Sequence, residues 1–200
     1  MFLKSTFAAL AVLAGVTAHA APVVPVSYDM PNGWSGAFNY WDDLYNGSGD
    51  NQVNGAALSG GVGDLTDGVI ATQNWNSVEG PRGPTGPYVG WLGIDPQIRF
   101  NFDQVYDFNS VTFHFDDSNN NGGGRTPSSE TAGGVSQAIT EPVGAAPISV
   151  TVDLTGYTED ILDVQIYRRQ TSWIFLSEVE FDVDMAPAIP VPAALPLMLG

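Results

Sequence analysis

The sequence predicts an all-β protein, built as an antiparallel β-sandwich. Three observations carry this. Several segments alternate apolar and polar residues with period two, the pattern of strands with one buried and one wet face. Glycine is abundant, at 23 residues, while charged residues make up only 14% of the chain, so its polarity comes largely from turn formers. No convincing amphipathic helix and no internal repeat breaks the pattern.

Taken in order, residues 1–20 read as an export signal. Lys4 supplies positive charge, Phe7 to Val16 is apolar, and Ala18-His19-Ala20 is a small-x-small cleavage site. The apolar run is short of the about 20 residues that span a bilayer. Residues 21–59 read as a loop-rich aromatic segment with an entry strand, packed on the domain by Trp34, Phe38, Tyr40, Trp41 and Tyr45. The sandwich is expected over residues 60–184. Its clearest strands carry Ile98, Phe100 and Phe102, then Val111, Phe113 and Phe115, then Ile148, Val150, Val152 and Leu154. Leu162, Val164 and Ile166, and finally Val179, Phe181 and Val183, complete the set. A second loop-rich stretch, Asn119 to Gly134, separates them, and loops this long are usually functional or disordered. Residues 185–200 form a Pro/Ala-rich tail.

Charge and cysteine content exclude several functions. The chain has 22 acidic against 6 basic residues and a net charge of −16. Such a surface repels phosphate backbones and anionic lipid, which argues against nucleic-acid binding. It suits hard cations that prefer oxygen ligands, although solubility alone also explains it. With no cysteine, an exported chain has no disulfide, thiolate nucleophile or thiolate metal site.

Two stretches suggest calcium. Leu65-Thr66-Asp67-Gly68 is a tight turn whose carboxylate and turned carbonyls suit Ca²⁺, and Ser177-Glu178-Val179-Glu180-Phe181 adds acids near the far end of the domain. Asp117, Asn119, Asn121 and Gly122 match the opening of an EF-hand loop. The twelfth position of that loop is Ser128 rather than Glu, so a plain loop is the first reading there.

A family resemblance follows from motif order. Leu65 to Gly68, Tyr88-Val89-Gly90-Trp91, Ile98 to Phe102, Val111-Thr112-Phe113 and Trp173 to Phe181 together resemble the discoidin-like, galactose-binding-like jelly rolls. These include coagulation-factor C-type domains and several carbohydrate-binding modules. The resemblance covers about residues 60 to 184. It implies a jelly-roll sandwich and a structural Ca²⁺ held by Asp67 and Glu178 with backbone carbonyls, joining the first and last strands. It also implies a sugar site in the loops at one end, with Trp75, Tyr88, His114, Asp116 and Arg125 as the candidates. Aromatic faces would meet sugar C–H groups and fixed polar groups would meet hydroxyls. Trp75 and Tyr88 sit among turn formers, where exposure is expected, and alternation puts His114 and Asp116 on the wet side of their strand. Trp91 and Trp173 adjoin strand starts, where aromatics usually fill the core.

The tail carries a second resemblance. Ile189-Pro190-Val191-Pro192-Ala193 is similar to the Val-Pro-Leu-Pro-Ala form of the PEP-CTERM sorting signals, which an exosortase-type enzyme processes. Ile189 and Val191 depart from that pattern, and no membrane helix or arginine cluster follows before Gly200. The implied setting is the surface or exopolysaccharide matrix of a Gram-negative bacterium, with membrane contact only through the tail.

No enzyme motif stands out. There is no G-x-S-x-G or H-E-x-x-H, and His114 is the only histidine after the signal. The sequence therefore predicts a non-catalytic carbohydrate-binding module with Ca²⁺. A ligand-free matrix protein is the second expectation, and a polysaccharide hydrolase or lyase the third.

Overall fold

Period-two alternation becomes two stacked antiparallel sheets in the computed structural model, which describes residues 23–80 and 86–185. Among the described residues eight strands are formed: β1 (Ser27–Pro31), β2 (Ala57–Gly61), β3 (Val89–Leu92), β4 (Gln97–Phe115), β5 (Ser129–Ala132), β6 (Val135–Ala138), β7 (Ile148–Tyr167) and β8 (Trp173–Met185). One short helix, α1 (Trp75–Val78), and two single 3₁₀ turns (Asp64–Thr66, Asn121–Gly123) lie in the connections.

The long strands β4 and β7 belong to both layers. Gln97 to Asn101 of β4 pairs with β1 and with the second half of β7. The register then shifts between Asn101 and Tyr106, and the rest of β4 pairs with β8 and the first half of β7. Such bulges bend strands and let them pass from one sheet to another. One layer thus runs β2-β1-β4-β7-β5-β6, and the other runs β3-β8-β4-β7. This is an antiparallel sandwich of the jelly-roll class. Strand β1 hydrogen-bonds directly to β4, so the segment before residue 60 contributes a strand to the sheet as well as aromatic packing.

The layers meet through the residues that alternation singles out. Phe181 of β8 stands 5.0 Å from Phe100 and 5.1 Å from Phe102, ring centre to ring centre, joining one sheet to the other. Ile98, Val111, Phe113, Phe115, Val152, Leu162, Val164 and Ile166 are all buried around them. A second cluster of Tyr40, Ala71, Trp75, Tyr88 and Phe175 covers the outer side of β8, with Phe38, Val78 and Trp173 packed against it. Phe175 falls into it because its neighbours Ile174 and Leu176 point the other way, into the main core.

Candidate functional site

The turn at Leu65 to Gly68 lies against β8. The Gly68 N–H donates to Glu178 Oε2 at 2.9 Å, and the Val69 N–H donates to Asp67 Oδ1 at 2.8 Å. The Asp67 and Glu178 carboxyls are in hydrogen-bonding contact across 111 residues of chain. Burial, reinforced by the negative charges of Asp67 and Glu180, raises the Glu178 carboxyl to about 8. Beside them, Thr66 Oγ1 is buried and has no hydrogen-bond partner. Thr66, Asp67, Gly68 and Glu178 line a cavity of about 480 Å³ that Val23, Val24 and Pro25 wall on another side. Among the described residues no three His, Cys, Asp or Glu side chains gather as a metal cluster. A cation here would therefore need oxygens besides the two carboxylates, and Thr66 Oγ1 is one without other employment.

More acids lie behind this turn. Asp42 accepts the Tyr28 O–H and, at 2.9 Å, the Asp64 N–H. Asp64 is buried, its Oδ2 has no partner, and burial together with the Asp42 charge raises its carboxyl.

The five residues expected to bind sugar are not displayed together. Trp75 is buried, stacked on Phe175 at 5.4 Å and 16° and edge-on to Tyr40 at 5.7 Å. Tyr88 is fully buried, and its O–H donates to Gln73 O at 3.0 Å. Their expected exposure is corrected: turn residues around them bend the chain so that both rings cover Phe175. Asp116 is also buried rather than wet. It accepts the Trp75 N–H at 3.0 Å and the Ser118 O–H, tying the loop after β4 to α1. His114 does face the outer side of its sheet, but neighbours cover it. Its Nε2 lies 2.8 Å from Glu180 Oε2 and its Nδ1 lies 2.9 Å from Ser149 Oγ. Alternation predicts the face, not whether that face is wet.

Arg125 is the one candidate that keeps partial exposure in the end loops. Its Nη1 donates to both Glu141 oxygens at 3.2 Å, and its backbone N–H donates to Trp173 O at 3.3 Å. Arg169 completes the group, with Nε 3.6 Å from Glu141 Oε2 and Nη2 donating to Ile139 O at 2.6 Å. Trp173 meets this cluster through its backbone carbonyl, while its half-buried ring stacks on Phe175 at 5.5 Å. Glu141 and Arg169 escape sequence reasoning because no motif contains them. The scarcity of arginine was the available hint.

The EF-hand-like stretch folds otherwise. Asp117 is buried, its Oδ1 accepts the Asn119 N–H at 3.2 Å, and the Arg169 and Arg125 charges act on it. Gly122 and Gly123 lie over Trp75 and Trp173. A Cβ on Gly122, whose φ is +63°, would sit 2.3 Å from the Trp75 ring.

Residues 25–122 match the model of the discoidin domain-containing receptor 1/2, DS-like domain. No curated protein matches the chain. Among solved structures, a CBM32 module of a GH31 protein bound to GalNAc aligns with a TM-score of 0.38 and 14% identity, covering 60% of this chain and 86% of that one. A CBM32 module of a GH89 protein from Clostridium perfringens, in complex with GalNAc-β-1,3-galactose, aligns at 0.33 and 11%, covering 56% and 99%. The K2 adhesin domain of Lys-gingipain aligns at 0.33 and 14%, covering 53% and 77%.

The sorting residues Ile189, Pro190, Val191, Pro192 and Ala193, like the signal at 1–20, lie outside the described residues.

Proposed function

We propose that the chain is an exported, non-catalytic carbohydrate-binding module of a bacterial surface or exopolysaccharide matrix, braced by a structural Ca²⁺. The observation that supports sugar binding is the end-loop cluster: the partly exposed Arg125 guanidinium, which Glu141 orients and Arg169 flanks, on a loop whose backbone is hydrogen-bonded to Trp173. Fixed, partly exposed donors and acceptors suit the hydroxyls of a pyranose. The discoidin-like family match supports the same reading. The signal at 1–20 and the tail supply the reading of export and exosortase processing.

Asp67 and Glu178 would hold the Ca²⁺, with Thr66 Oγ1 and carbonyls of the turn. The ion would neutralise two carboxylates that otherwise press together, the exposed Asp67 against the buried Glu178. Their direct contact does not suit glycosidic cleavage, which needs carboxyls about 5 Å or about 6.5–9.5 Å apart. Burial of Trp75, Tyr88 and Asp116 favours the second reading, a matrix protein without a ligand.

The test is a glycan-array screen of the full chain, in calcium and in chelator, beside Arg125→Ala. Specific binding in calcium that drops at least tenfold in the variant is expected. A folded chain that binds no glycan would overturn the sugar reading and leave the matrix role.

A further inference from the structure

We propose that the outer face of the six-stranded layer is a second saccharide site, a groove that takes the interior of an uncharged, linear polysaccharide chain. It rests on the reading of the domain as a sugar binder but shares no residue with the end-loop cluster. Register lays out the groove in two rows. Asp29, Arg99 and Asp163 stand side by side across β1, β4 and β7. One step along, Gln97, Gln165, Thr131 and Ser136 stand side by side across β4, β7, β5 and β6. Residues two apart on a strand share a face, so both rows point to the same side. Six of these seven residues, all but Ser136, line a cavity of about 490 Å³ together with Gly134.

The groups are held in place before any ligand arrives. Arg99 grips Asp163 with both arms, Nε to Oδ1 at 2.7 Å and Nη2 to Oδ2 at 2.9 Å. Asp29 accepts the Gly60 N–H at 2.9 Å. Gln165 Nε2 donates to Asp95 O at 2.9 Å, and Thr131 Oγ1 is 2.9 Å from Ser136 Oγ. Preorganised polar groups lose little freedom on binding. Four strands at ~4.8 Å spacing give a row about 14 Å long, room for about three sugar rings.

Chemistry selects the ligand. Amides and hydroxyls both donate and accept, as sugar hydroxyls do. The one guanidinium faces two carboxylates, so the groove is net negative and repels uronate or sulfate groups. Tyr167 continues the face two residues beyond Gln165 and is 40% exposed, offering a ring to one sugar unit. A peptide adding to a sheet would use an edge strand, whereas this groove crosses the middle of a layer.

The test is affinity electrophoresis of the full chain in gels containing soluble neutral glucan, mannan or galactan, with polygalacturonate as the anionic control. Gln97→Ala combined with Arg99→Ala strips the groove. Thr131→Tyr fills it while leaving the ion pair intact, and Val105→Ala, at the exposed bulge of β4, is the control. The expected result is retardation by a neutral chain that falls at least tenfold in both groove variants and is unchanged in Val105→Ala. Equal retardation by polygalacturonate would overturn the neutral-chain assignment. Groove variants that bind like the parent would overturn the groove while sparing the sugar reading. A parent chain retarded by nothing, and silent on the array, would overturn both.

Discussion

Glu178 is where sequence, packing and electrostatics bear on one side chain. Its carboxyl is raised to about 8 because it is buried beside Asp67 and Glu180. A carboxyl whose folded pKa lies above its unfolded value gives stability that is full below the unfolded value and lost as pH rises through the folded one. In chelator, the melting temperature should therefore fall between about pH 5 and pH 8 through this residue. Calcium should raise it most at pH 8, where the cation takes the place of the missing proton. Glu178→Gln should lessen the fall by this residue's share and abolish the calcium response. Thermal melts of both proteins, with and without calcium at pH 5.5 and pH 8, decide the point. An identical calcium shift in the variant, or no shift in the parent, would remove the ion from this site. Asp67 and Glu178 were legible in the sequence because turn chemistry and motif order name them. Thr66 was not, since an unpartnered hydroxyl exists only once packing has excluded water from it.

Among the elements, β4 carries the architecture, and half of its logic was legible. Alternation marks Ile98 to Phe102 and Val111 to Phe115 as inward-facing. The bulged stretch between them was hidden, because an extra residue shifts the phase without changing the composition. The end loops were misread for a related reason: Trp75 and Tyr88 are covered by Tyr40 and Phe175, from distant parts of the chain that local pattern cannot bring together. Strand β1 is short and polar at alternate positions, so its place in the sheet depends on pairing with β4 rather than on its own pattern. Because the bend sets Phe100 and Phe102 of one layer against Phe181 of the other, Phe181→Ala should cost about 3–5 kcal/mol. Val105→Ala, at the exposed bulge, should stay within about 0.5 kcal/mol. Urea unfolding of the two variants checks this. Similar losses from both would mean that the layers are not joined through Phe181.

At the scale of the whole molecule, acids dominate both surface and interior. A net charge of −16 makes the folded state self-repelling at neutral pH. Inside, burial alone raises Glu130 to about 8, with neither of its oxygens partnered. Burial likewise raises Glu79 to about 7, against the Gly86 and Tyr88 N–H groups that favour its charged form. Asp42 and Asp64 are raised too, by burial and by acidic neighbours. All four shifts have the sign of Glu178, so their contributions add: each is full below the unfolded value and is lost as pH rises through the raised one. The chain should be most stable near pH 5 and weaken steadily toward pH 9. Glu130→Leu isolates one such contribution, because it removes a buried charge and leaves apolar bulk. It should raise the urea midpoint at pH 9 and change it little at pH 5. Stability that instead rises from pH 5 to pH 9 would mean these carboxyls are charged in the fold and neutralised by cations, with calcium the first to test.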